Sequence, residues 1–376
     1  MRPVHVVLFH AEPAADAGPL ARALADGRLG LATRQRASWL AAGADSAEIV
    51  AGPPDGLSFG ERLRGYVASG AGPSGAEPSG GTGLSGGLVV AGSGAMPLAR
   101  VPDLRRFVDV AAGPGGHALA NNRFSADVVA ISRAADLAAL PPLPADNALP
   151  RWLEERVGVM VADLRRRWRL GFDVDTPLDL LLLGYAGRSH SPAGGPSPLL
   201  AARFEALAAV LRNRRAELLV AGRVSTATIG FLQNGVACRV RALVEERGLR
   251  AASELAQSGP LAAAARPPRS VLGELLDRDG PESLARHIAD LADAAVIDTR
   301  VLMAHRFGAA ESTWPAAEDR FASDLLDSNA VADSWLRALT ASAAAPDAST
   351  PILLGGHTLV NGGLRLVAQR AMAAAT

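Results

Sequence analysis

Short apolar runs alternate along most of the chain with segments whose apolar residues recur at helical spacing. Residues 4–9 predict a buried first strand, and 47–50, 88–91 and 126–131 predict further strands. Between them, 19–25, 31–42, 59–67 and 102–110 carry helical spacing, with Gly43 as a stop after the second. A long helix is predicted over 149–167, and a leucine-rich helix from Leu178. The second half repeats the theme. Strands are predicted at 216–221, 237–244, 294–302 and 351–354, and helices at 199–212, 284–291 and 330–339. Such alternation predicts an α/β fold: a mostly parallel sheet flanked by helices in the N-terminal half, with a second α/β region after it. Residues 1–186 form the expected first domain and 199–376 the second. The Gly-, Ser- and Pro-rich stretch 69–87 cannot bury enough apolar surface to order itself and is expected to be a flexible insertion.

Composition narrows the chemistry. Hydrophobic residues make up 49% of the 376, enough for sizeable cores, and 38 basic residues balance 38 acidic ones. That balance argues against nucleic acid or a membrane surface as partner, because both usually select an excess of positive charge. The chain has no lysine. Schiff-base chemistry and lysine phosphate clamps are therefore excluded, and any bound phosphate falls to arginine. The single Cys238 excludes an internal disulfide and reads as a buried structural thiol. With no signal-peptide pattern and no bilayer-length apolar run, a soluble, cytoplasmic protein is expected, and homo-oligomerisation is left open.

Five stretches offer candidate chemistry. Gly92, Ser93 and Gly94 follow an apolar strand, where backbone N–H groups approach phosphates in α/β proteins; a plain tight turn has the same composition. Asp173 and Asp175, spaced to share one face of an extended segment, supply hard oxygen ligands suited to Mg²⁺. The competing reading is a helix start, with Thr176 or Asp175 as N-cap, Pro177 in the first turn and Asp179 near the positive end. Asn121, Asn122 and Arg123 read either as donors for a base, sugar or phosphate or as an Asn-rich turn. Gly355–Gly363, containing His357 and Asn361, follows a C-terminal strand and lines either a ligand crevice or a structural turn. Asp298, His305 and Arg306 lack any accompanying catalytic spacing, and His305 reads as structural. Trp314, Arg320 and Trp335 read as packing, and Arg165–Arg167 as a solvated helix end.

Residues 1 to about 185 resemble small nucleotidyltransferases of the GT-A fold, the group that includes molybdenum-cofactor guanylyltransferases and phospholactate guanylyltransferase. Three stretches carry the likeness: Phe59-Gly60-Glu61-Arg62-Leu63, Val89–Leu98 followed by Pro102-Asp103-Leu104, and Asp173–Leu180. The resemblance implies a GT-A-like sheet, Mg²⁺, a nucleotide or nucleotide-sugar, and a small phosphorylated or sugar-like acceptor. It assigns metal binding in the last motif to Asp175. Two departures stand against it. The glycine-rich, lysine-bearing loop expected after the first strand reads His10-Ala11-Glu12-Pro13, leaving Arg22, Arg28 or Arg34 to supply a cation, and the expected metal aspartate is Gly94. Three functional readings follow: a divergent transferase, a domain that has kept the fold and lost the site, or a site around His357 and Asn361 in the second half.

Overall fold

The computed structural model describes residues 2–70, 84–187, 195–246, 267–345 and 350–373; most of the expected insertion at 69–87 lies outside them. Two compact units emerge. Among their described residues, the first comprises 2–17 and 25–173, and the second 18–24 and 174–373. Residues 174–186, expected to close the first domain, group with the second unit.

The first unit is built on a six-stranded sheet in the order β2-β1-β3-β5-β4-β6. The strands are β1 (Val4–Ala11), β2 (Ser46–Gly52), β3 (Gly87–Gly92), β4 (His117–Ala120), β5 (Val128–Ile131) and β6 (Met160–Asp163). Neighbours run parallel except that β5 opposes both β3 and β4. The expected mostly parallel sheet flanked by helices is what forms. Alternation along β1 explains how both faces are covered, since successive side chains point to opposite sides. Val4, Val6 and Leu8 pack on one face with Trp39 and Phe107, from helices α1 (Pro19–Ala41) and α3 (Val101–Ala112). Val7 packs on the other with Leu63 and Tyr66 of α2 (Phe59–Ser69). Trp39 and Phe107 meet edge to face at 6.0 Å. Each such fully buried large side chain contributes about 1.5–3 kcal/mol relative to exposure.

Three expectations are corrected in detail. The helices predicted at 19–25 and 31–42 are one continuous helix, α1. The helix predicted at 149–167 ends early: α4 (Leu149–Trp152) passes into a wider turn at Leu153–Val157, Gly158 turns the chain at φ 74°, and β6 follows. Arg165–Arg167 are therefore not a helix end. Arg167 binds the buried Asp103 of α3 at 2.6 Å, with Arg169 at 3.4 Å on the other carboxylate oxygen. These contacts, with the Arg100 N–H, hold the Asp103 carboxyl below its usual range against the opposing effect of burial.

The second unit has a four-stranded, wholly parallel sheet in the order β10-β9-β7-β8. Its strands are β7 (Glu217–Gly222), β8 (Arg239–Val244), β9 (Ala294–Asp298) and β10 (Ile352–Gly355). The strand predicted at 294–302 stops at Asp298, because that side chain accepts the Arg300 N–H and starts helix α8 (Thr299–Phe307). Flanking helices include α5 (Pro177–Tyr185), α6 (Pro198–Arg212), α7 (Thr226–Gly235), α9 (Ala317–Asp324) and α10 (Ser334–Ala344). Cys238 is buried just before β8, and burial raises its thiol pKa. His305 is structural: one ring nitrogen accepts the Ser270 N–H and the other faces Asp277 at 3.0 Å. Among the described residues, no helix is long and apolar enough to cross a membrane.

Candidate functional site

Parallel sheets gather chemistry at the carboxyl ends of their strands, where loops diverge and backbone N–H groups are free to meet a ligand. In the first unit β1 and β3 are paired so that Phe9 faces Gly92, and the next residues along are His10 and Ser93. Both are buried, and the His10 ring contacts the Ser93 hydroxyl at 3.1 Å. Burial depresses the His10 pKa, and the charge of Arg28 lowers it further. The imidazole is thereby kept neutral near pH 7.

The chain then turns sharply. Ala95 N–H donates to the Gly92 carbonyl at 3.1 Å, and Met96 adopts φ 48° with its side chain fully buried. A left-handed methionine costs roughly 1–3 kcal/mol and persists only where its surroundings enforce it. They do so here. Met96 N–H donates to Phe172 O at 3.2 Å, the Gln35 amide donates to Ala95 O, and Ala95 forms an antiparallel bridge with Asp173. Asp173, half-buried and engaged, thus lies beside the Gly92–Gly94 turn.

The Asn121 loop sits alongside, since Gly92 N–H donates to Asp127 O at 3.2 Å. Asn121 itself is saturated. Its amide donates to Asp127 Oδ2 and Leu170 O, and its oxygen accepts the N–H groups of Asp127 and Val128. Asn122 closes a local turn by accepting the Phe124 N–H at 3.1 Å. Arg123 is ion-paired with Glu154 and lies 5.5 Å from the Phe124 ring centre. The turn reading thus accounts for the hydrogen bonds of both asparagines.

Beside the same strand ends, on the α2 side of the sheet, opens a cavity of about 450 Å³ lined by Phe9, His10, Gly52, Arg62, Gly65 and Tyr66. That volume lies within the usual range for small-molecule pockets, about 300–1,000 Å³. No signal in the sequence marks it, because its walls come from three separated segments.

Asp175 belongs to the second unit, and there the helix-start reading describes the geometry. Thr176 is the N-cap of α5, Pro177 opens the helix, and Thr176 and Asp179 form a reciprocal capping box. Asp179 Oδ2 accepts the N–H groups of Asp175 and Thr176 and the Thr176 hydroxyl. Burial pushes the Asp179 carboxyl up to about 7, helped by the neighbouring charge of Asp175. Asp175 is exposed, with its carboxylate 4.0 Å from the His357 ring. The structure thus brings Asp173 to the glycine turn and Asp175 to His357.

Whether Mg²⁺ fits is decided by the donors. Among the described residues no three His, Cys, Asp or Glu side chains converge as a metal cage. Mg²⁺ commonly binds through one or two carboxylates and completes its shell with waters and phosphate oxygens. One carboxylate beside the Gly92–Gly94 turn fits that mode, and a dedicated all-protein site does not. No protein-family model matches this chain, and no curated protein matches its sequence.

Proposed function

We propose that the first unit is a divergent nucleotidyltransferase- or glycosyltransferase-like domain. It binds a nucleotide or nucleotide-sugar at the carboxyl edge of the six-stranded sheet and acts on a small phosphorylated or sugar-like acceptor. The observation that carries this reading is the bridge between Ala95 and Asp173, which sets a carboxylate-bearing residue against the Gly92–Gly94 turn. The adjoining cavity and the strained Met96 support it independently.

In this reading phosphate meets the turn at the Gly94 N–H, because the Gly92 and Ser93 N–H groups already donate to Asp127 O and Phe9 O, and neutral His10 exchanges a hydrogen bond with it. Arg28, whose field reaches His10, supplies the cation that a lysine-free chain must draw from arginine. Asp173, together with phosphate oxygens of the nucleotide, would hold Mg²⁺, which would supply charge neutralisation. The protein's share is positioning, which suits phosphoryl and nucleotidyl transfer because such reactions depend mainly on alignment and charge. Titration calorimetry against nucleoside triphosphates and nucleotide-sugars, with and without Mg²⁺, tests it. Saturable, Mg²⁺-assisted binding that weakens in Asp173→Asn is expected. Failure of every nucleotide to bind removes the reading.

A second reading is a fold retained as a binding or assembly module without catalysis. The saturated Asn121 side chain and glycine at position 94 favour it. It stands if the folded chain binds no nucleotide under either condition.

A further inference from the structure

The four-stranded sheet has its own switch point. From β7 the chain goes to β8 on one side and then to β9 on the other, so the loops leaving β7 and β9 run apart at the carboxyl edge. Arg223 follows β7 directly, and Asp298 ends β9. The Asp298 side chain is fully buried and grips the guanidinium twice, at 2.6 Å to Nε and 3.0 Å to Nη2. Burial alone raises the Asp298 pKa, but the Arg223 charge and hydrogen bonds outweigh it and hold the carboxyl below its usual range. Gly222, at φ 114°, makes the grip possible, because a Cβ there would overlap the Asp298 side chain.

Asn361, on the helical segment after β10, fixes the surroundings. Its oxygen accepts Ser225 N–H at 2.8 Å and the Thr228 hydroxyl at 3.0 Å. Its amide donates to Arg223 O at 2.9 Å and His357 O at 2.8 Å. Arg223 and His357 are therefore anchored by the same residue, and the His357 charge is felt at Asp298.

Ion pairs buried at both ends add little net stability. This one is open at one end: 22% of the Arg223 side chain is exposed, against none of Asp298. Nη1 makes no hydrogen bond among the described residues. A guanidinium already ordered by a buried carboxylate, with one edge turned outward, binds an oxyanion without first losing side-chain freedom.

We propose that this edge is a second small-molecule site, anchored by Arg223 and flanked by His357, for a ligand bearing one phosphate or carboxylate group. The exposed Asp175 beside His357 and the carboxylate of Asp298 keep the local charge from becoming strongly positive. That selects a singly anchored oxyanion over a triphosphate, and separates this site from the one proposed above.

The test is arginine-specific labelling of the full chain with phenylglyoxal, mapped by peptide mass spectrometry. Arg223 is expected to label, and millimolar inorganic phosphate or citrate to suppress that labelling several-fold. Protection by phosphate but not citrate assigns a phosphate ester; the converse assigns a carboxylic acid. Protection should persist in Asp173→Asn, which alters only the first unit. Arg223→Lys retains a cation for Asp298, and should weaken titrated phosphate or citrate binding about tenfold or more with unchanged circular dichroism. An Arg223 that does not label, that labels equally with and without both anions, or whose lysine variant binds like wild type overturns the proposal.

Discussion

Asp179 offers a pH experiment whose sign can be worked out in advance. It is fully buried in the capping box of α5, and its carboxyl is pushed up to about 7 from an ordinary 3.8. All three of its hydrogen bonds reach Oδ2, which leaves Oδ1 to carry a proton. Because the folded-state pKa is raised for an acid, the folded chain holds a proton between about pH 4 and 7 that the unfolded chain has released. Stability contributed by this group is therefore greatest below pH 4, is lost as pH rises through that window, and levels off above 7. Between pH 5 and 8 the loss spans 7 − 5, about 2 pH units. At about 1.4 kcal/mol per unit this amounts to about 3 kcal/mol. Asn at this position keeps the shape and the capping acceptor without the charge. Asp179→Asn should thus gain about 3 kcal/mol relative to wild type on moving from pH 5 to 8. Urea unfolding followed by far-UV circular dichroism at the two pH values measures the difference, in which other carboxylates cancel. A difference that is flat, or that reverses sign, refutes the assignment of a neutral Asp179 at low pH.

Other expectations follow from packing. Arg300 and Asp324 form a pair in the second unit with contacts of 2.5 and 2.7 Å, and the Asp324 side chain is wholly buried. Arg300→Met should cost about 3–5 kcal/mol by stranding that carboxylate, and Arg300→Met with Asp324→Leu should recover most of the loss in denaturant melts. Asn121→Ala strands the buried N–H of Val128 and the carbonyl of Leu170, so it should cost at least about 2 kcal/mol while nucleotide affinity in the folded protein stays unchanged. Gly60→Ala should lower the melting temperature, because its Cβ would overlap the backbone of Pro141 and Leu143, at a cost of about 1–3 kcal/mol.

The sequence disclosed the units whose signal is local. The strands around Val7, Val90 and Val220 stand out as apolar runs, and Thr176-Pro177 announces the start of α5. It misled where one apolar stretch serves two elements. Residues 294–302 read as one strand, because the break between Ala294–Asp298 and the helix that follows is a single side chain that caps the second element. Likewise β6 was hidden inside a helical pattern, and only Gly158, followed by Val159 and Val161, hinted at it. Distant pairings were not legible at all. His10 meets Ser93 through the register of β1 against β3, and Arg223 meets Asp298 through that of β7 against β9. Sheet order creates these neighbours, and no spacing along the chain encodes them.

The central claim concerns where a nucleotide lands. Hydrogen-exchange mass spectrometry on the full chain, with a nucleoside triphosphate panel and Mg²⁺, addresses it directly. Slowed exchange should appear in peptides covering Gly92–Leu98 and Leu170–Asp173, with little change around Arg223 and His357. Slowing confined to the second unit, or absent with every nucleotide, contradicts the account.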